Sequence, residues 1–317
     1  MLDESIKEKI ALFADIDKEA VITGLDVDNV YKIPLVFHEE GMLRQLNEKL
    51  SLNAQPNLET WKTLVNNMQH APKEINIALC GKYTKLEDSY ASVIEALHHA
   101  GAHTNVIPRV HWVETTHIEE GRVSVQDALR GMDGIIVPGG FGSRGAEGKI
   151  SVIQHARTHN TPYLGLCYGM QLAVIEFARN RCGLTLANST EINPKTIHPV
   201  VDLLPDQVNV LEKGATMRLG GQNVEIKPQT KAEKLFGPVA RLRFRHRYEV
   251  NPTYISQLEN AGLLFSGKAR EQDIMQIMEL PDHPFFMATQ AHPELTSRLD
   301  KPCPFFHEFM KASAGKK

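Results

Sequence analysis

Three residues in this sequence have types and contexts suited to covalent chemistry: Cys167, His292 and Glu294. Cys167 lies in PYLGLCYGMQ (162–171), a short apolar run that ends at the cysteine, with a glycine two residues away on each side. A helical pattern begins at once, with Met170, Leu172, Ala173, Ile175 and Phe177. The spacing predicts a strand, a sharp turn and a helix, with Cys167 at the turn. At such an elbow the backbone is strained and neighbouring side chains would collide, which explains the glycines. The helix that follows points free N–H groups and its positive dipole end toward the sulfur, favouring the thiolate. A cysteine in an apolar stretch is ordinarily a small buried hydrophobe; here the paired glycines and the switch from strand to helix favour a nucleophile.

A cysteine nucleophile needs a base and an oxyanion site. The base candidate is His292 in QAHPELTS, directly after the apolar run PFFMATQ, with Glu294 two residues on. A carboxylate there can accept the second imidazole N–H and fix the tautomer. On its own, His-x-Glu reads as a surface pair; beside the cysteine elbow it completes a triad by residue type. Oxyanion donors are offered by the backbone N–H of Tyr168 and by the loop PGGFG (138–142), where Gly139 and Gly140 let N–H groups approach an oxygen. A phosphate-binding reading of that loop is disfavoured, because the expected lysine followed by serine or threonine is absent.

Composition narrows the setting. The chain has 317 residues, 42% of them hydrophobic, enough for one large α/β domain or two smaller ones. A net charge of −3 gives no reason to expect a nucleic-acid polymer or an acidic membrane surface. No apolar run is long enough to span a bilayer, and no signal peptide follows Met1. Cys80, Cys167, Cys182 and Cys303 have neither metal-ligand spacing nor a disulfide pattern, so a reducing, cytoplasmic setting and no metal are expected.

The elements around these residues follow from periodicity. Residues 6–13 read as a helix, 20–27 (AVITGLDV) as a strand, 30–37 as a second extended candidate, and 41–50 as a short helix. Residues 51–60 suit a linker and 61–68 a helix across the join. From residue 75 strands and helices alternate through INIALCGKY, NVIPRVHWV, GIIVPGG and YLGLC. This predicts an α/β fold with a mostly parallel open sheet and helices on both faces. Ligands in such sheets sit at the carboxyl ends of strands, where both the Gly139 loop and Cys167 fall. Residues 200–227 read as a small β excursion laid over the sheet, and 305–311 as a closing helix.

With these residues in place the sequence resembles the class I, triad-type glutamine amidotransferases, and among them the glutaminase half of the CTP synthase family. The matching segments, in order, are GKYTKLEDSYASVIEAL (81–97), PGGFGSRGAEGKI (138–150), YLGLCYGMQLAVIEFARN (163–180), ANSTE (187–191), TMRLG (216–220), RHRYEVN (245–251) and HPE (292–294). Residues 6–37 resemble the end of that family's synthetase domain. The implied division is 1–50 as a synthetase remnant, 51–73 as linker and connecting helix, and 74–317 as the glutaminase domain. The resemblance implies that Cys167 attacks the glutamine side-chain amide, that His292 shuttles protons and that Glu294 orients it. Gly139, Gly140 and Tyr168 would hold the oxyanion. Gln171, Glu191 and Arg247 would grip L-glutamine, with Gly140, Tyr168, Gly169 and Met170 around it. Arg218 matches a lid that meets the activating nucleotide GTP, and Lys9 and Val27 match positions near pyrimidine nucleotide and adenine.

Some residues depart from the family pattern. Tyr168 replaces a leucine and places a phenol at the site entrance. Ala291 replaces an aromatic residue before HPE, Gly214-Ala215 stands for a double glycine in the lid, and RLRFRHR precedes the tyrosine of YEVN in place of a histidine-richer run. The family's ATP loop and magnesium-binding carboxylates match nothing here. The expected cofactor set is therefore none in this chain, with ATP and Mg belonging to a separate synthetase domain that also takes UTP. The chain is expected to be a piece of a longer protein or a split gene product, unable to make CTP by itself. The family's homotetramer forms chiefly through the synthetase domain, so a monomer is expected for this piece. Two alternatives remain open at this stage: another cysteine hydrolase with the same elbow, such as one acting on γ-glutamyl peptides, and a non-catalytic docking subunit.

Overall fold

The computed structural model describes residues 2–82, 87–203, 217–270 and 272–315. It divides into two compact units, Met1–His70 and Ala71–Lys317. The first unit holds helices α1 (Glu4–Ala14), α2 (Ile33–Glu39), α3 (Met42–Lys49) and α4 (Glu59–His70). Asp3 caps α1 by accepting from the Ser5 N–H. Lys7 pairs with Glu40 at 2.8 Å, and Thr23 Oγ1 donates to the same carboxylate. Trp61 donates its indole N–H to the Tyr31 carbonyl at 2.8 Å. The core of this unit is small, and Leu12 and Phe13 are 79% and 89% exposed.

Two expectations fail in this unit. Residues 21–27 form no strand; among the described residues the unit contains no other strand to supply ladder partners, and an isolated strand is not stable. Residues 30–37 form a 3-10 turn and then α2 rather than a strand. Asn29 caps the turn through the Tyr31 N–H, and Pro34 sits in the first turn of α2, where its fixed φ suits a helix.

The second unit is built on a nine-stranded open sheet. Its strands are β1 (Lys73–Gly81), β2 (Val106–Glu114), β3 (Gly134–Val137), β4 (Tyr163–Leu166), β7 (Arg218–Ile226), β8 (Val239–His246), β10 (Leu264–Ala269), β11 (Met275–Glu279) and β12 (Phe286–Thr289). The order is β2-β1-β3-β4-β12-β11-β10-β7-β8. From β2 to β12 every pairing is parallel, and from β12 to β8 every pairing is antiparallel. A second sheet joins β5 (Ala187–Ser189), β6 (His198–Leu203) and β9 (Tyr248–Val250). The stretch that reads as one excursion is thus divided: β6 lies in the small sheet, whereas β7 pairs with β10 and β8 and extends the large one. Gly214-Ala215 lies outside the described residues.

The helices of this unit are α5 (Ala91–Thr104), α6 (Thr115–Glu119), α7 (Val125–Ala128), α8 (Ala146–Thr158), α9 (Tyr168–Arg181), α10 (Lys231–Phe236), α11 (Ile255–Asn260) and α12 (Pro304–Gly315). The parallel strands send alternate side chains to opposite faces. Ile75, Ile77, Leu79, Ile136 and Leu164 meet α5 and α12 in one core; Ala78, Cys80, Ile135, Val137 and Tyr163 meet α8 and α9 in the other. Both faces are covered at the centre of the sheet, so β3 and β4 are buried along their whole length. A buried ion pair fastens the second face: Arg157 of α8 grips Glu176 of α9 through Nε and Nη2, and Glu176 is fully buried.

Candidate active site

Strands β3, β4 and β12 are consecutive neighbours and run parallel. Their carboxyl ends therefore open at one edge of the sheet. Gly139 follows β3, Cys167 follows β4 and His292 follows β12. Sheet order thus brings together three segments that are far apart in sequence.

Cys167 is the residue that joins β4 to α9. Its backbone has φ 51° and ψ −99°, a conformation uncommon for any residue with a side chain. Such strain persists only where the surroundings impose it, and here the Cys167 N–H is tied to the Thr289 carbonyl at 2.7 Å. The neighbouring glycine is needed for space: a Cβ on Gly169 would lie 2.2 Å from the Val137 carbonyl oxygen. Tyr168 is the first helical residue, so its N–H has no intrahelical acceptor. The sulfur side chain is buried and lies 3.8 Å from the Arg245 carbonyl.

His292 Nδ1 lies 2.7 Å from Glu294 Oε1. Burial alone would lower the imidazole pKa, but its hydrogen bonds to Cys167 and Glu294 outweigh that and raise it to about 10. The raised value favours the protonated imidazole, the form that can hand a proton to a leaving group. The His292 N–H donates to the Arg243 carbonyl at 2.7 Å, and Ala291 bridges Phe244. Strand β8, last in the sheet, therefore returns to the end of β12, as accumulated sheet twist allows. A Cβ on Gly139 would come within 2.7 Å of His292 Cε1, so only glycine fits this approach.

The glycine loop is held from three sides. Lys82 Nζ donates to the Phe141 carbonyl at 2.5 Å, the Tyr168 hydroxyl donates to the Gly142 carbonyl at 2.5 Å, and the Gly142 N–H donates to Glu191 at 3.0 Å. The expectation of a phenol at the site entrance is therefore corrected: Tyr168 is buried and braces the loop from behind. Lys149, 1% exposed, places its ammonium 5.2 Å from the Tyr168 ring centroid; burial lowers its pKa to about 8. Burial also raises the pKa of Glu191, which the Gly142 N–H and nearby Lys82 counteract.

The sequence matches the family described as Glutamine amidotransferase class-I over residues 85–312, and that described as CTP synthase N-terminus over residues 1–52. The chain belongs to the class-I glutamine amidotransferase family. It is similar to the CTP synthase of Thermococcus gammatolerans, 48% identical over 319 residues that cover 100% of this chain and 59% of that protein. It is likewise similar to the CTP synthase of Archaeoglobus fulgidus, at 48% identity over 98% of this chain and 58% of that protein. The chain therefore spans somewhat over half the length of these curated relatives. Among solved structures, the glutaminase domain of Trypanosoma brucei CTPS with bound acivicin matches with a TM-score of 0.70 and 37% identity, covering 77% of this chain and 95% of that one.

Against this amidotransferase frame the remaining expected residues can be placed. Gln171 is buried in α9, and its Nε2 donates to the Tyr248 carbonyl at 2.8 Å and to Gln290 Oε1 at 3.2 Å. Its two N–H groups are thus engaged, and what it offers a ligand is its carbonyl oxygen. Met170 is fully buried behind the elbow. Arg247, half-buried between β8 and β9, has a buried Nη2 atom without a hydrogen-bond partner. Arg218 opens β7, donates to Gln272 at 2.7 Å and lies over the Phe244 ring. Lys9 is exposed on α1, and Val27 is half-buried in the segment of the first unit between α1 and α2. A cavity of about 830 Å³ borders Gly139, His292, Glu294, Arg243 and Arg245. It lies on the imidazole side of the site rather than along Gln171, Glu191 and Arg247.

Three contributors escape a reading of the sequence: Gln290, Lys149 and Lys82. Gln290 contacts the sulfur, and the lysines back the glycine loop. Each lies within a recognisable segment, but nothing in local pattern distinguishes a buried lysine or glutamine from an exposed one. Among the described residues no group of three or more His, Cys, Asp or Glu side chains could hold a metal ion, and no helix is long and apolar enough to cross a membrane.

Proposed function

We propose that the chain hydrolyses L-glutamine to glutamate and ammonia through a thioester on Cys167. The observation that carries this reading is the meeting of Cys167 with the His292–Glu294 pair at the ends of adjacent strands. The sulfur adds to the side-chain amide carbon, and the N–H groups of Tyr168 and of Gly139 or Gly140 receive the oxygen as it becomes negative. His292 gives its proton to the departing nitrogen, the C–N bond breaks and ammonia leaves. Water then attacks the thioester while His292 takes its proton; the C–S bond breaks, releasing glutamate.

Substrate recognition follows from charge. Arg247 offers an unpaired donor for the α-carboxylate. Glu191 and the Gln171 carbonyl suit the α-ammonium, and a cation there would offset the burial that now opposes ionisation of Glu191. Gly169 and Met170 shape the elbow around the side chain.

The ammonia would serve a synthetase domain that converts UTP to CTP with ATP and Mg, the reaction implied by the relatives' name. Residues 1–50 fit as the end of that domain, 51–73 as linker and 74–317 as the glutaminase part; the exposed Leu12 and Phe13 support a missing neighbour for the first segment. In this reading Lys9 and Val27 belong to the synthetase's nucleotide sites, Arg218 to the response to GTP, and the tetramer to the synthetase domain, leaving this piece monomeric. The four unpaired thiols fit a cytoplasmic setting.

The test is ammonia release from L-glutamine by the chain and by Cys167→Ala, with intact-mass detection of an acivicin adduct. Turnover and adduct are expected in the first and absent in the second. Turnover that survives in Cys167→Ala would refute the assignment. Addition of a synthetase fragment with ATP, UTP and GTP is then expected to restore CTP formation.

A further inference from the structure

We infer that Gln290 is a positioning residue for the Cys167 sulfur, fixing it by donating an N–H in addition to the contact made by the imidazole. The inference rests on the proposed nucleophilic role of Cys167. Gln290 is fully buried, and its Nε2 lies 3.5 Å from Cys167 Sγ.

Which end of the Gln290 amide faces the sulfur follows from its partners. The Tyr248 carbonyl can only accept, so the Gln171 group 2.8 Å from it must be the NH2. The second N–H of that NH2 points at Gln290, 3.2 Å away, which must therefore present its oxygen. The other end of the Gln290 amide, the NH2, is left for the sulfur. A backbone carbonyl three steps away thus dictates that Cys167 meets a donor. The backbone adds to this: the Gln290 N–H is tied to the Gln276 carbonyl at 2.9 Å, anchoring the residue at the end of β12.

The chemistry gives the donor a purpose. A thiolate accepts hydrogen bonds, and a donor to it favours the charged form and restrains rotation about the Cα–Cβ bond. His292 must release its proton to the leaving nitrogen during the reaction, so it cannot hold the sulfur throughout. Gln290 has no proton to give up and keeps its contact at every stage. The glutamine of the α9 helix and the glutamine after β12 therefore form one relay, from the Tyr248 carbonyl to the nucleophile.

The test compares Gln290→Glu and Gln290→Met with the parent chain. Gln290→Glu keeps the size and the oxygen that receives the Gln171 N–H, and replaces only the group facing the sulfur. Gln290→Met removes both polar ends at similar volume. Each is expected to slow Cys167 alkylation by iodoacetamide about 10- to 100-fold, the scale of one lost hydrogen bond to a charged group. Glutaminase kcat is expected to fall in parallel while KM for glutamine stays within about threefold. A variant that melts like the parent and alkylates at the parental rate would overturn the inference, as would a loss confined to KM. If neither variant folds, the Gln290 side-chain amide resonance of the unaltered chain decides: it is expected to shift when Cys167 is alkylated, and an unmoved resonance overturns the inference. A parent chain that alkylates readily but never turns over glutamine would instead count against the functional assignment, because alkylation reads the sulfur directly.

Discussion

Nδ1 of His292 and Oε1 of Glu294 are 2.7 Å apart, with a single proline between the two residues in the chain. The carboxylate thereby fixes which ring nitrogen carries the outward proton and leaves the other to face the sulfur. Glu294→Gln preserves the shape but removes the charge that favours the imidazolium. Its glutaminase kcat is expected to fall about 100-fold or more, read by a steady-state ammonia assay. The same variant carries a signature in stability. In the folded chain His292 holds its proton up to about pH 10, against an ordinary value of 6.5. Its contribution is therefore complete below pH 6.5 and disappears as pH rises through 10. The stability gap between parent and Glu294→Gln is expected to be widest at acid-neutral pH and to close toward pH 10, measured by urea midpoints at about pH 6, 8 and 10.

The strained backbone at Cys167 makes a second prediction. Cys167→Gly relieves strain of about 1–3 kcal/mol, which offsets the added unfolded-state entropy of about 1 kcal/mol and the lost burial of one sulfur. Its stability is expected to stay within about 1 kcal/mol of the parent, while turnover is lost. Cys80, buried near the carboxyl end of β1, has no positive φ to relieve. Cys80→Gly is expected to cost about 2 kcal/mol or more. Equal losses in the two variants, by chemical denaturation, would contradict the strain at the elbow.

Tyr168 supplies a third. Its hydroxyl donates to the Gly142 carbonyl, behind the loop that carries the proposed oxyanion donors. Tyr168→Phe is expected to lower stability by about 1 kcal/mol and kcat by about tenfold through looser placement of Gly139 and Gly140, with the acivicin adduct still forming. Thermal unfolding together with kcat would report both effects; an unchanged kcat would show that the loop is held without this hydroxyl.

The parts of the molecule legible in sequence are those where one cause acts locally. Strands β3 and β4 are short and apolar, and α9 announces itself by its spacing after Cys167. Cys167 and His292, proposed as nucleophile and base, are legible as candidates because each follows the end of a strand, the place that an α/β sheet reserves for ligands. Residues 20–27 misled because β-branched composition describes what a strand would like to pack against, and no partner strand is there. Residues 30–37 misled because the apolar run outweighed Pro34, which starts α2. The role of Gln290 was invisible: the partner of its side chain is 123 residues away in sequence, and only the order of strands brings them together. The position of Tyr168 was read with the wrong orientation, because a helix that is buried on all sides gives no polar face by which to orient it.

The adjacency of β3, β4 and β12 has a consequence for where damage can arise. The hydrogen-bond ladder sets neighbouring strands about 4.8 Å apart, and a slip of one residue moves a strand end by about 3.3 Å. That displacement exceeds the tolerance of any contact between sulfur, imidazole and loop. The sheet works as a ruler for the reaction, and the packing of Ile136, Leu164 and Met287 keeps its marks aligned. Substitutions deep beneath the surface, touching none of the participants, can therefore silence the chemistry while leaving every reacting group intact.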